Sequence, residues 1–107
     1  MIEIKPVYTT EAIATGAGRN GHVQSADSLV SEDLAIPVAM GGSGKGTNPE
    51  QLFAAGYAAC FHSALQMVAR QAKKSLGDSS VGARVSIGQA GEGFGLAVVL
   101  ELSLIHI

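Results

Sequence analysis

The hydrophobic positions of this 107-residue chain change their period twice, dividing the sequence into three blocks. Up to about residue 38 it reads as short strands cut by turns. Residues 7–15 are rich in β-branched and aromatic side chains, and Gly16-Ala17-Gly18-Arg19-Asn20-Gly21 supplies a tight reversal with an Asn-Gly step. His22–Ser25 is then expected to return antiparallel. Residues 34–38 (Leu-Ala-Ile-Pro-Val) read as a third strand, at an edge because Pro37 has no N–H to give to a ladder.

The middle block switches to helical spacing. Its start has two readings: Asn48 caps and Pro49 occupies the first turn, or Thr47 caps and Glu50 closes a capping box. Apolar positions continue through Leu65, Val68, Ala69 and Ala72; Lys73 and Lys74 suit the negative helix end, and Gly77 is the expected stop. This predicts a helix of roughly 27 residues, about 40 Å long. Ala55, Gly56, Ala58 and Ala59 would let another backbone approach, and Gly56 marks a bend or such a contact. The last block has period two. Val81, Ala83, Val85 and Ile87 oppose Gly82, Arg84, Ser86 and Gly88, and after a turn at Gly91-Glu92-Gly93 the alternation resumes through Phe94, Leu96, Val98, Leu100, Leu102 and Leu104. The expected class is α+β, an antiparallel sheet packed on a long central helix, with no room for repeated βαβ units.

Composition narrows the picture. A mass of 10.9 kDa predicts a single domain over residues 1–107. The chain is 47% hydrophobic but holds only three Phe, two Tyr and no Trp, so its small side chains favour completion by a partner subunit. A net charge of −2 with seven basic residues argues against nucleic-acid binding. The N-terminus shows no basic segment followed by an apolar run, and the Ala-rich stretch around Cys60 reads as too short to span a membrane. A cytoplasmic location is expected, where a lone thiol stays reduced.

That thiol, Cys60, is the only cysteine. It can form neither an internal disulfide nor a Cys-rich metal site, which leaves packing or thiol chemistry. A reactive thiolate needs a nearby cation. Cys60 lies mid-helix, beyond reach of the terminal dipole, so the charge must be brought in. Arg19, held out by a Gly-rich turn, is the candidate, and Glu50 is the carboxylate suited to orient it; helix capping explains Glu50 equally well. His62 and Arg84 read as surface or interface residues. Ten helical residues separate Glu50 from Cys60 by about 15 Å. A compact site therefore needs a helix break, a long reach by Arg19, or a second subunit, and the oligomer is the favoured solution. Gly41-Gly42-Ser43-Gly44-Lys45-Gly46-Thr47 imitates a phosphate loop, but Asn48 and Pro49 put the helix start after the Thr, and the expected role is a glycine connector.

Long runs of the sequence resemble a known family. Residues 8–12 (Tyr-Thr-Thr-Glu-Ala), 15–21, 41–44 and above all 47–61, Thr47-Asn48-Pro49-Glu50-Gln51-Leu52-Phe53-Ala54-Ala55-Gly56-Tyr57-Ala58-Ala59-Cys60-Phe61, are similar to the organic hydroperoxide resistance proteins of the OsmC/Ohr superfamily. The resemblance implies an intertwined α+β homodimer with sites at its interface. It implies a thiol-dependent peroxidase that reduces organic hydroperoxides to alcohols without a cofactor, using a dithiol reductant such as a lipoyl group. By the same resemblance Cys60 is the peroxidatic cysteine, Arg19 stabilises its thiolate and Glu50 holds Arg19. Leu52, Phe53, Tyr57, Phe61 and Met67 are candidates for an apolar substrate wall or plain helix core. Family members carry a second, resolving cysteine that these residues lack, and the expectation is a domain incomplete at its C-terminus. The competing functions are a non-catalytic homodimeric scaffold with a buried Cys60 and, less favoured, a phosphate-loop nucleotide-binding protein.

Overall fold

The structure, a computed structural model, describes residues 3–104. The chain divides into two compact units, Met1–Asn48 and Pro49–Ile107.

The first unit is a three-stranded antiparallel sheet in the order β1-β2-β3, with β1 at Ala12–Thr15, β2 at His22–Ser25 and β3 at Ser31–Asp33. The reversal between β1 and β2 is a 3-10 turn over Gly18–Asn20. Gly16 and Gly18 hold φ of 81° and 61°, which disfavours a β-carbon, and a Cβ on Gly21 would strike the Thr15 carbonyl oxygen. Ala12 pairs with Ser25, and one further bond, from the Ala26 N–H to the Glu11 carbonyl at 2.9 Å, ends the ladder. Residues 7–10, expected to extend β1, therefore have no strand to pair with, because the opposing chain turns away after Ala26.

The third strand also lies elsewhere than expected. It is formed by the polar residues Ser31–Asp33, not by residues 34–38. The loop before it sets its register: the Asp27 carboxylate accepts from the Ser25 hydroxyl at 2.7 Å and from the Leu29 N–H at 3.0 Å. These bonds, the hydroxyl's first, hold the Asp27 carboxyl below the usual carboxylate range. Leu34 and Ala35 are apolar because they are buried, at 7% and 8% exposure. The Leu34 N–H donates to the Gly21 carbonyl, the Ala35 N–H to the Thr47 carbonyl, and the Ile36 N–H to the Asn20 side chain.

The second unit is helix α1, Pro49–Gln71, packed on strand β4, Ser79–Ala90, which pairs antiparallel with β5, Gly93–Leu104. The helix begins at Pro49, which places Asn48 at the cap position; the Thr47 hydroxyl instead donates to the Asp33 carbonyl at 3.3 Å. It spans 23 residues, about 34 Å, and stops earlier than Gly77. The Lys74 N–H reaches the Ala69 carbonyl at 2.8 Å and the Lys73 N–H reaches the Arg70 carbonyl at 3.0 Å, with Lys73 at φ 57°. This is a Schellman stop built on a lysine in the left-handed position that glycine ordinarily takes.

The β4–β5 hairpin turns through Gly91-Glu92, with Gly91 at φ 58°, and pairs Ala90 with Gly93. Its register stacks Val81 on Leu102, Ala83 on Leu100, Val85 on Val98 and Ile87 on Leu96, so one face is an apolar ladder. On the opposite face Arg84 and Glu101 make an exposed diagonal ion pair at 3.0 Å. Such a pair contributes little to stability.

Replacing Lys73 by Gly removes the left-handed strain at the helix stop. Thermal unfolding of Lys73→Gly should show a gain of about 0.5–1 kcal/mol; a loss of stability would contradict the assigned stop.

Candidate functional site

Helix α1 is a continuous element from Pro49 to Gln71 and none of its residues is fully buried. With 3.6 residues per turn, Ala54, Ala58, Phe61, Leu65 and Ala69 form one stripe, and all five are half-buried. His62 lies beside this stripe. Its Nε2 is 2.8 Å from the Ser79 hydroxyl at the start of β4, which fastens the helix to the hairpin. No sequence signal marks Ser79, because the contact depends on how the helix lies on the strand.

Cys60 belongs to a different stripe. Phe53, Gly56, Tyr57, Ser63, Ala64 and Met67 fall within about 60° of it around the helix axis, and the Cys60 side chain is exposed. The Phe53 and Tyr57 rings stack with centroids 5.8 Å apart and planes at 21°. Phe53, Tyr57 and Met67 remain 45%, 41% and 48% exposed, so the thiol sits on an uncovered apolar face. The five residues proposed as an apolar wall thus separate: Phe53, Tyr57 and Met67 flank Cys60, whereas Leu52 and Phe61 are half-buried. An inert packing role for Cys60 would require a buried sulfur, and within this chain the sulfur is not buried.

Apolar residues on two sides also make α1 long and apolar enough, by length and composition alone, to cross a bilayer. This corrects the expectation that the segment is too short. The same pattern is found in a helix that protein covers on both sides, and one side here already packs on β4.

Glu50 stands in the first turn of α1 and is half-buried. The helix between it and Cys60 is unbroken, so the rise of about 1.5 Å per residue keeps them about 15 Å apart along the axis. Both side chains lean toward the helix N-terminus, so the lean they share does not close this gap. Arg19 is half-buried in the 3-10 turn of the first unit. A helix break is therefore excluded as the way to unite the three residues. Among the described residues no cluster of three or more His, Cys, Asp or Glu is placed to hold a metal ion.

The glycine loop before α1 is committed to its own chain. A Cβ on Gly42 would strike Ile36, and one on Gly46 would stand 2.7 Å from the Asp33 carbonyl oxygen. The Gly44 N–H donates to Ile36, the Lys45 N–H to the Ser43 hydroxyl and the Thr47 N–H to Asp33. These glycines permit close backbone approach, and the Gly44, Lys45 and Thr47 N–H groups already have partners within the chain.

Residues 42–105 match the family model described as OsmC-like protein. The chain is 49% identical over 102 residues to an organic hydroperoxide resistance protein of Xanthomonas axonopodis pv. citri, covering 94% of this chain and 71% of that one. It is similar to the crystal structure of an organic hydroperoxide resistance protein from Legionella pneumophila, with a TM-score of 0.88, 51% identity, and coverage of 96% of this chain and 75% of that chain. A structure from Vibrio cholerae, described as a putative organic hydroperoxide resistance protein with captopril in one of its active sites, gives a TM-score of 0.89 at 48% identity over 96% of this chain and 72% of that chain.

Proposed function

The chain belongs to the OsmC-like protein family, and on that footing we propose that it is a thiol peroxidase acting on organic hydroperoxides through Cys60. The observation that carries the reading is the position of the single thiol, exposed on a helix face beside the apolar side chains of Phe53, Tyr57 and Met67. An alkyl or aryl hydroperoxide can lay its hydrocarbon part against Phe53, Tyr57 and Met67 while its peroxide end meets the sulfur. Hydrogen peroxide has no hydrocarbon part and gains nothing from that surface.

The Cys60 thiolate attacks the terminal peroxide oxygen. The O–O bond breaks, the sulfur is oxidised to sulfenic acid, and the alkoxide takes a proton and leaves as an alcohol. Arg19 supplies the positive charge that favours the thiolate and stabilises the oxygen on which negative charge develops. Glu50 orients that guanidinium. With one cysteine in these residues, the sulfenic acid is returned to thiol by an external dithiol, such as a lipoyl group, which becomes a disulfide and releases water.

The site is completed in a homodimer. Two features support this: the 15 Å of rigid helix between Glu50 and Cys60, and the uncovered face on which a Cβ at Gly56 would meet nothing within 4 Å.

Arg19→Ala should slow oxidation of Cys60 by an alkyl hydroperoxide about 10²–10³-fold, and Glu50→Gln should slow it less. Mixed dimers of Arg19→Ala and Cys60→Ser protomers should recover activity if each site draws on both chains. Fully active Arg19→Ala protein would refute the role of the arginine; no recovery in proven mixed dimers would refute the sharing. Gly56→Leu should weaken sedimenting dimers and peroxide reduction together. In an isolated chain it should instead stabilise the helix by up to about 1 kcal/mol, and a folded, fully active monomer would contradict the assembly.

A further inference from the structure

The first unit holds a second group of reactive side chains, unrelated to the thiol. His22 on β2 pairs across the ladder with Asp33 on β3, and Gln24 pairs with Ser31. Alternation along each strand puts His22, Gln24, Ser31 and Asp33 on one face of the sheet. The His22 Nδ1 is 2.8 Å from the Asp33 carboxylate, and its Nε2 is 3.2 Å from the Ser31 hydroxyl oxygen. The carboxylate accepts only, so it selects the tautomer with the proton on Nδ1 and leaves Nε2 as acceptor for the Ser31 hydroxyl. Both distances lie within the range expected between an orienting acid, a base and a nucleophile.

We propose that Ser31, His22 and Asp33 form a serine acyl-transfer site that accepts esters with good leaving groups. The Ser31 oxygen bonds to the ester carbonyl carbon as its proton passes to the His22 Nε2. The bond from that carbon to the leaving oxygen then breaks, and Nε2 returns the proton to the departing alcohol. Water attacks acyl-Ser31 by the same proton route and releases the carboxylic acid, so no oxidant or reductant is required.

Two features place the substrate. Gln24, directly opposite Ser31, gives one amide N–H to the Ser28 hydroxyl at 2.7 Å, and its second N–H is suited to the carbonyl oxygen as charge develops there. Beside this row runs a groove of about 500 Å³ lined by Glu11, Ala12, Ile13, Gln24, Ser25 and Ala26. Ile13 pairs with Gln24, so the apolar floor adjoins the Gln24–Ser31 row and suits a short acyl or aryl group. The hairpin is fixed rather than loose, because Asp27 and Ser25 tie the loop between β2 and β3. Asp33 is 93% exposed, so water screens its charge; it acts as a positioning residue, and the Ser31–His22 pair supplies most of the rate.

The test uses the full chain with Cys60→Ser as background, because a cysteine thiolate would itself react with the probe. p-Nitrophenyl acetate should give a burst of nitrophenolate, and peptide mass mapping should place the acetyl group on Ser31. Ser31→Ala should abolish the burst. His22→Ala should slow it about 10²-fold or more, with recovery on adding imidazole, and Asp33→Ala should lower kcat by up to about tenfold at unchanged KM. A fluorophosphonate offered to the unsubstituted sheet gives a readout that does not depend on any variant folding, and it should modify Ser31. Absence of a Ser31 adduct from both probes in folded protein, or a burst that survives Ser31→Ala, would overturn the assignment.

Discussion

The rigidity of helix α1 governs the candidate peroxide site. Its backbone ladder runs unbroken through 23 residues, so the positions it carries are fixed relative to one another along the axis. One apolar stripe is laid against β4 and fastened there by His62 and Ser79. The other carries Cys60 among Phe53, Tyr57 and Met67 and is left uncovered by its own chain. Covering such side chains is worth on the order of 1–2 kcal/mol each, so the arrangement favours whatever completes it. The same rigidity keeps Glu50 from approaching Cys60 within one helix. Covering the exposed stripe and completing the thiol's surroundings are thus demands that a single event, association of two copies, can meet.

The sequence was most legible where one physical signal acted alone. Strict alternation at Val81, Ala83, Val85 and Ile87 announced β4, and only the register with β5 had to be added. The Asn48-Pro49 step announced the helix start, since proline fits the first turn and little else. Competing signals misled. Leu34 and Ala35 look like a strand but are apolar because they fill the buried centre of the first unit, while polar Ser31–Asp33 makes the ladder. The helix stop escaped detection because a lysine, not a glycine, takes the left-handed position. For the site, Cys60 stood out as the single thiol, yet its exposure and its aromatic neighbours follow from helical phase and from the strand that α1 rests on. The Ser31–His22–Asp33 group was invisible, because it exists only once β2 and β3 are paired in this register.

The two units answer different chemical needs. The first is a short sheet whose turns are pinned by side-chain hydrogen bonds, a frame that fixes small polar groups. Its glycine loop is folded back on the chain at Gly42 and Gly46, where a Cβ would meet Ile36 and the Asp33 carbonyl oxygen, and this close packing favours the connector role over a phosphate cradle. The second unit is a helix and hairpin rich in aliphatic and aromatic surface, suited to hydrocarbon and to a partner. On the proposed reading, Phe53, Tyr57 and Met67 beside the sulfur would favour peroxides that carry a hydrocarbon part.

Intact mass of the purified protein after one equivalent of cumene hydroperoxide should show the addition of one oxygen, located on Cys60 and removed by a dithiol, with release of one equivalent of the alcohol. A folded protein whose thiol stays unmodified while the hydroperoxide persists would contradict the peroxidase role of Cys60.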